Sequence, residues 1–338
     1  MTVLVTGGSG HLGANLVRRL LDEGHAVRVL LRRHSDNRGL DGLPVERVEG
    51  DLRDLDAARA AVAGCRQVYH CAAKVSTAQR AEREIFACNV LGTRHVLHAA
   101  RECGVSRVVV SGSFSAVGHD PDRPSDETVP FYPFGQVLPY SWSKVLVEHE
   151  CLKAAADGLD VVVAISCAII GPNDFKPSRM GKVLVDFAHG RLRAYVPGGF
   201  EFVSARDIVE GHLLAMDKGK SGQRYIFSSE FLTVDQLMGL FEAVTGRRRP
   251  RLRLPGALMA GIAQVKTRFT DRFRPDAEPR FTPGAVRFLR MRRRADCSKA
   301  RSELGYRPTA IARAVQEAYD CFVRRGEIAP PPGPGAGR

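Results

Sequence analysis

Apolar residues in the first 115 positions alternate between short unbroken runs and runs spaced three and four apart. Unbroken runs of that length suit strands buried on both faces, and the spaced runs suit amphipathic helices. Residues 3–6 read as a buried strand. Leu12, Leu16, Val17, Leu20 and Leu21 share one helical face, so a glycine loop at 7–13 opens a helix. Residues 26–31 predict a second strand and 44–49 a short third, followed by Gly50-Asp51-Leu52 and a helix from about Asp54 to Ala63. Residues 67–71 predict a fourth strand, 84–103 a long amphipathic helix, and 105–111 a fifth strand with Ser113 at its end. This alternation implies an α/β fold of Rossmann type, with a doubly wound parallel sheet and right-handed crossovers.

Residues 119–137 form a polar loop rich in Pro and Asp that leads into a helix carrying Tyr140 and Lys144. Residues 161–165 predict a sixth strand. Beyond Gly171-Pro172 the rhythm breaks, and 224–227 is expected to return to the sheet. The division that follows is a nucleotide-binding domain over 1–172, with returning segments within 200–228, and a smaller interleaved substrate lobe from 173–199 and 228–326. The Pro/Gly-rich tail at 327–338 is expected to have no fixed structure.

Composition narrows the class. Hydrophobic residues at 44% and charged residues at 26% describe a soluble globular chain rather than a disordered or membrane one. No apolar run reaches the roughly 18 residues of a membrane span, and the N-terminus enters a strand with no basic n-region, so no signal peptide is expected. Eight scattered cysteines without a Cys-x-x-Cys pair read as reduced thiols of a cytoplasmic protein, with neither disulfides nor metal. Of the net charge of +13, residues 245–294 carry +12, from fourteen Arg and one Lys against three acids. No base-stacking or groove-reading motif accompanies those arginines, so nucleic acid is not the expected partner. They read as a solvated or anion-facing surface. The apolar run at 254–263, flanked by arginines, leaves a membrane-surface patch as the alternative.

Gly7, Gly10 and Gly13 stand at Gly-x-x-Gly-x-x-Gly spacing between a strand and a helix. Glycine lets the backbone turn tightly and approach a pyrophosphate, which then rests on the helix N-terminus. An NAD site usually places an acid at the end of the second strand, bonded to the adenosine ribose. Here the stretch is Leu30-Leu31-Arg32-Arg33. Leu31 cannot bond a 2′-hydroxyl, whereas the Arg32 guanidinium can clamp a 2′-phosphate. NADP(H) is therefore expected in preference to NAD. Asp51 and Leu52 are placed to cover the adenine edge. Ala72, Ala73 and Lys74 follow the fourth strand at the sheet's carboxyl edge, with a solvated Lys74 as the plainer reading.

Reducing a carbonyl requires a hydride on carbon and a proton on oxygen. Tyr140 and Lys144, at i and i+4, share a helix face. An unperturbed Tyr has a pKa of about 10, and a nearby ammonium is expected to lower it. Lys144 can also hold the nicotinamide ribose. Ser113 can donate a hydrogen bond to the substrate oxygen, although Ser111 and Ser115 compete for that role.

With these pieces together the chain resembles an extended short-chain dehydrogenase/reductase. The matching segments are Thr6-Gly-Gly-Ser-Gly-His-Leu-Gly13, Gly50-Asp51-Leu52, Cys71-Ala-Ala73, Asn89-Val-Leu-Gly-Thr93, Ser111-Gly-Ser113, Tyr140 with Lys144, Ile170-Gly-Pro172 and Leu304-Gly-Tyr306. The resemblance implies a catalytic triad of Ser113, Tyr140 and Lys144. It also implies Asn89 near the site and further cofactor contacts from His11, Leu12, Cys167, Ile169 and Ile170. Family members often dimerise through a helix pair, here 84–103 and 140–156. Family dehydratases place Asp-Glu after the catalytic Ser/Thr, where this chain has Phe114 and Ser115. Sugar-nucleotide epimerases carry an Asn where this chain has Ala168, and an Arg near Phe200. The segments 171–178, 210–215 and 222–226 resemble the dihydroflavonol-reductase-like group, which includes hopanoid-associated proteins labelled sugar epimerases. The implied function is NADP(H)-dependent interconversion of a ketone and a secondary alcohol on a small, apolar or cyclic molecule. A nucleotide-sugar epimerase holding NAD tightly is the alternative.

Overall fold

The computed structural model describes residues 2–76, 81–134, 137–256, 261 and 283–329. The apolar run at 254–263 falls mostly outside the described residues, as do 262–282 of the Arg-rich stretch and the tail from 330.

Strands β1 (Thr2–Thr6), β2 (Ala26–Leu31), β3 (Glu46–Glu49), β4 (Gln67–His70), β5 (Arg107–Ser113) and β6 (Val161–Ser166) alternate with helices α1 (His11–Asp22), α2 (Leu55–Val62), α3 (Glu82–Phe86), α4 (Gly92–Glu102) and α5 (Pro139–Ala156). After β7 (Ala168–Ile170), α6 (Arg179–Ala188), β8 (Ala194–Tyr195), β9 (Gly199–Ser204) and α7 (Ala205–Lys218), the chain returns as β10 (Arg224–Phe227). β10 pairs in parallel with β6, completing a seven-stranded sheet of order β10-β6-β5-β4-β1-β2-β3. Every pairing in it is parallel. Helices cover both faces of such a sheet, which is why β1, β5 and β6 carry unbroken apolar runs of at least three residues instead of alternating. Strand order reverses between β1 and β4, and a crevice opens there at the carboxyl ends.

Element ends differ from the sequence reading where a side chain or a turn intervenes. Asp54 is not helical but caps α2, its carboxylate accepting from Asp56 N. The fifth strand begins two residues later than expected and runs on through Ser113. The single helix expected over 84–103 is interrupted by a π turn at Ala87–Leu91. Such turns add a residue to the helical repeat and often mark functional sites.

The remaining chain adds β11 (Glu230–Thr233), α8 (Val234–Thr245), β12 (Leu252–Arg253), α9 (Pro283–Arg290) and α10 (Ile311–Arg324). β9 is the centre of a second sheet, parallel to β7 and antiparallel to β11. Thr233 and Gln236 form a reciprocal capping box at the start of α8. A separate core of Leu184, Phe187, Phe202, Phe241, Ile311 and Phe322 lies beneath this sheet. Burying each such side chain contributes roughly 1.5–3 kcal/mol. Several arginines of the Arg-rich stretch are committed within the lobe. Arg253 bonds Tyr195 Oη at 2.9 Å and Asp235 at 2.5 Å, and Arg247 donates to Ala188 O at 3.0 Å.

Candidate active site

The glycine turn is dictated by crowding. Gly7 has φ +71°, and a Cβ there would lie 2.6 Å from Ala72 N. A Cβ on Gly13 would lie 2.2 Å from Gly7 O. Gly10 caps α1 without a side-chain bond, so the first-turn N–H groups carry no side-chain acceptor. A cleft of about 320 Å³ runs from this turn across the ends of β2 and β3 to the segment after β4. Gly7, Gly10, Arg32, Asp51 and Leu52 line it, with Ala72, Ala73 and Lys74 on its far wall.

A nicotinamide dinucleotide fits these residues. The turn leaves no room for a Cβ, the helix end is uncapped, and no acid stands at Leu31. Arg32 makes no side-chain hydrogen bond or ion pair among the described residues. Asp51 is held by Arg53 at 2.6 Å, which keeps its carboxyl below the usual range. Lys74 is not a free cation, because Glu84 takes its ammonium at 2.8 Å. Its backbone matters more: Asn89, buried in the π turn, accepts from Lys74 N at 2.7 Å and donates to Lys74 O at 3.1 Å.

Other expected cofactor residues are not among those lining this cleft. His11 turns its Nε2 to Pro172 O at 3.0 Å, joining α1 to the residue that precedes the lobe. Leu12 is buried in the main core. Ile169 packs against that core, whereas Ile170 packs into the lobe core, because adjacent strand residues face opposite sides. Cys167, buried between β6 and β7, has its thiol pushed well above the ordinary range by burial.

At the carboxyl end of β5 the three serines separate. Ser111 Oγ is bonded to His212 Nε2 at 2.8 Å and is occupied. Ser113 Oγ bonds Ser115 Oγ at 2.9 Å and lies beside the Tyr140 phenol. Lys144 is only 4% exposed, and its Nζ donates to Ser111 O at 2.8 Å. The expected lowering of the Tyr140 pKa by Lys144 is not what this arrangement produces. Burial pushes the phenol up from 10.0, and the Ser113 hydroxyl opposes the rise. The ammonium is directed to the Ser111 carbonyl instead, and its own pKa is lowered by burial. Asn89 Nδ2 also donates to Ser143 Oγ at 3.0 Å, and Ser143 donates to Tyr140 O at 2.7 Å. The π turn therefore positions the first turn of α5.

Two side chains that sequence reasoning missed complete the surroundings. Arg293 is 6% exposed, stacks over Phe114 at 4.6 Å and donates to Val117 O and Gly118 O at 2.8 and 2.7 Å. Lys176 reaches back from the lobe to the cleft, 2.8 Å from Ser9 Oγ and 3.2 Å from Ser35 Oγ. Its only sequence signal was a lysine three residues beyond Asn173 in the irregular segment. A larger cavity of about 840 Å³ opens beside α5 near Trp142, Leu152 and Arg224, and no candidate catalytic side chain lines it.

Two buried histidines tie the strand ends together and make stability pH-dependent. His70 bonds Thr6 Oγ1 at 2.7 Å and Thr93 Oγ1 at 2.9 Å, linking β1, β4 and α4. Burial first, then Lys144, lowers its pKa from 6.5 to about 3. Burial likewise lowers His212 to about 4, with the Ile208 carbonyl opposing and Lys144 assisting. Both folded-state values lie below the unfolded one. The stabilisation is complete above pH 6.5 and is lost as pH falls toward 4 and 3. At about pH 5 each histidine should cost about 2 kcal/mol of stability. Urea denaturation at pH 7 and 5 should show His212→Gln losing about 2 kcal/mol less than the wild type. Equal losses would remove His212 as a source.

The family model for the NAD dependent epimerase/dehydratase family matches residues 3–227. The chain is 47% identical over 328 residues to "Sterol demethylase protein B" of Methylococcus capsulatus, covering 97% of this chain and 100% of that one. It is 33% identical to a "Putative dihydroflavonol 4-reductase" of Synechocystis, covering 96% and 95% of the two chains. Among solved structures, that of gox2253 superposes with a TM-score of 0.84 at 32% identity, covering 97% of this chain and 99% of that one.

Proposed function

The chain belongs to the NAD dependent epimerase/dehydratase family, within the extended short-chain dehydrogenases/reductases, and is an NAD(P)-dependent oxidoreductase; on that premise we propose that it interconverts a ketone and a secondary alcohol on an apolar, sterol-like ring substrate using NADP(H). One observation carries this reading: Ser113 and Tyr140 meet beside buried Lys144 at the carboxyl end of β5.

NADP(H) would supply or accept the hydride. Ser113 Oγ donates a hydrogen bond to the substrate oxygen, polarising it. Tyr140 gives its phenolic proton to that oxygen in reduction and takes it back in oxidation. Lys144 would hold the nicotinamide ribose, and the Ser113 hydroxyl opposes the burial that disfavours the phenolate left by proton transfer. The relative named a sterol demethylase protein, 47% identical to this chain, supports the sterol-like substrate.

Nearby residues argue against the alternatives. Phe114 is buried under Arg293, and Ser115 is bonded to Ser113, so neither supplies the acid that elimination needs. Phe200 packs edge-on against Phe202 with ring centres 6.2 Å apart, and Ala168 pairs with Phe202 in the lobe sheet. Neither position offers a polar anchor for a sugar diphosphate.

Mixing the protein with NADPH and a sterol-type ring ketone should give sustained NADPH consumption. Copurification of NAD with no net turnover would support the epimerase instead. Because the Tyr140 phenol lies above 10.0, kcat for reduction should stay flat from about pH 6 to 9, where the acid form persists. Alcohol oxidation, which needs the phenolate, should rise through the same range. A common break near about pH 6.5 would point to histidine as the proton carrier.

A further inference from the structure

We infer that Lys176, delivered from the substrate lobe, is a second cation of the adenosine 2′-phosphate site and sets the preference for NADP over NAD together with Arg32. This rests on the NADP(H) reading above and adds to it a residue 144 positions beyond Arg32 in the chain.

Placement is the first argument. Lys176 lines the same cleft as Gly7, Leu31 and Arg32. Its Nζ lies between Ser9 of the glycine turn and Ser35 just past β2, at 2.8 and 3.2 Å. That is the ground between the pyrophosphate turn and the ribose end of the second strand. An NAD site places a carboxylate there to bond the 2′-hydroxyl. This site has Leu31 instead, two hydroxyls, and two cations lining one cleft; burial lowers the Lys176 ammonium, Asp36 opposes that, and Arg32 adds a smaller depression.

Charge balance is the second. The carboxylate that acts on Lys176, Asp36, accepts from Arg38 at 3.0 and 2.9 Å, and that pairing, with a smaller contribution from Lys176, holds its pKa near 2. Its charge is largely committed. Lys176 forms no ion pair within 4.0 Å among the described residues, and neither does Arg32. Two close cations with no ion-pair partner are complementary to a dianion such as a phosphate monoester.

Preorganisation is the third. A surface lysine samples many rotamers, but the backbone on either side of this one is pinned. Asn173, at φ 59°, donates to Asn15 Oδ1 at 3.0 Å. The Phe175 ring is flanked by the Arg18 and Arg325 guanidinium groups, 5.2 and 4.3 Å from its centre. Arg325 also donates to the Asp174 and Phe175 carbonyls at 3.0 and 3.2 Å. Asp174, 2% exposed, accepts from Ser178 N at 2.8 Å. A cation held this way loses little further freedom on binding its ligand.

The test is calorimetric titration of the intact protein with 2′,5′-ADP and with 5′-ADP, so no turnover is needed. Wild type should bind 2′,5′-ADP at least tenfold more tightly. Lys176→Met should weaken 2′,5′-ADP at least tenfold, leave 5′-ADP within twofold, and be largely rescued by Lys176→Arg. Unchanged 2′,5′-ADP binding by Lys176→Met, with wild type still discriminating, overturns the role of Lys176 alone. Equal loss of both ligands means the residue only braces the glycine turn, which also overturns it. A wild type that does not discriminate refutes the NADP reading itself.

Discussion

Tyr140→Phe should lower kcat for ketone reduction by a factor of about 10²–10⁴, the range that a positioned general acid supplies. The substitution removes one hydroxyl and nothing else. Pro139 and Leu138 still start α5, and Ser143 still bonds the Tyr140 backbone carbonyl rather than its ring. Binding of NADPH, followed by fluorescence, should stay within about twofold, so that the loss falls on the chemical step. Ser113→Ala should lose less, because Ser115 lies 2.9 Å away and can take over part of the hydrogen bond. If Tyr140→Phe kept wild-type turnover, the proton would come from another group, and the assignment of this site would be wrong.

Gly7→Ala should destabilise the protein and disable cofactor binding together. Two costs add. An L-residue at φ +71° pays roughly 1–2 kcal/mol. The Cβ, only 2.6 Å from Ala72 N, forces a backbone shift costing about 1–3 kcal/mol more. The expected loss of about 2–5 kcal/mol in urea denaturation should come with at least a tenfold weaker NADPH titration, since the displaced segment after β4 is the cleft's own wall. Gly64→Ala is the control. Its φ is +73°, but nothing lies within 4 Å of the added Cβ. It should show the backbone cost alone and bind NADPH normally. Should the two variants behave alike, the close approach of Ala72 is not what requires glycine at position 7.

Much of the nucleotide-binding half was legible before any coordinates. Buried parallel strands read as unbroken apolar runs because both faces are covered, so β1, β2, β5 and β6 announced themselves. The glycine turn was legible because few backbone conformations approach a neighbouring strand so closely. Boundaries were less so. The two extra residues of β5 are Gly112 and Ser113, neither of which carries strand signal, yet they pair with Ile165 and Ser166. The second sheet was missed for a related reason: β7 and β11 are three and four residues long, and its three strands are separated in the chain.

The sequence by itself determined the order of elements, the glycine turn between the first strand and helix, and the pairing of Tyr140 with Lys144 on one helix face, because local periodicity and hard-sphere backbone limits decide those. Only the tertiary structure decided which serine meets Tyr140. Ser111 is taken by His212, 101 positions away. It also decided that Lys144 points at a strand carbonyl, that burial raises the Tyr140 phenol, and that Lys176 enters the cleft across 167 positions from Ser9. Each of those outcomes depends on which chain segments cross near one another and how completely they exclude water, and neither property is carried by the spacing of residues along the chain.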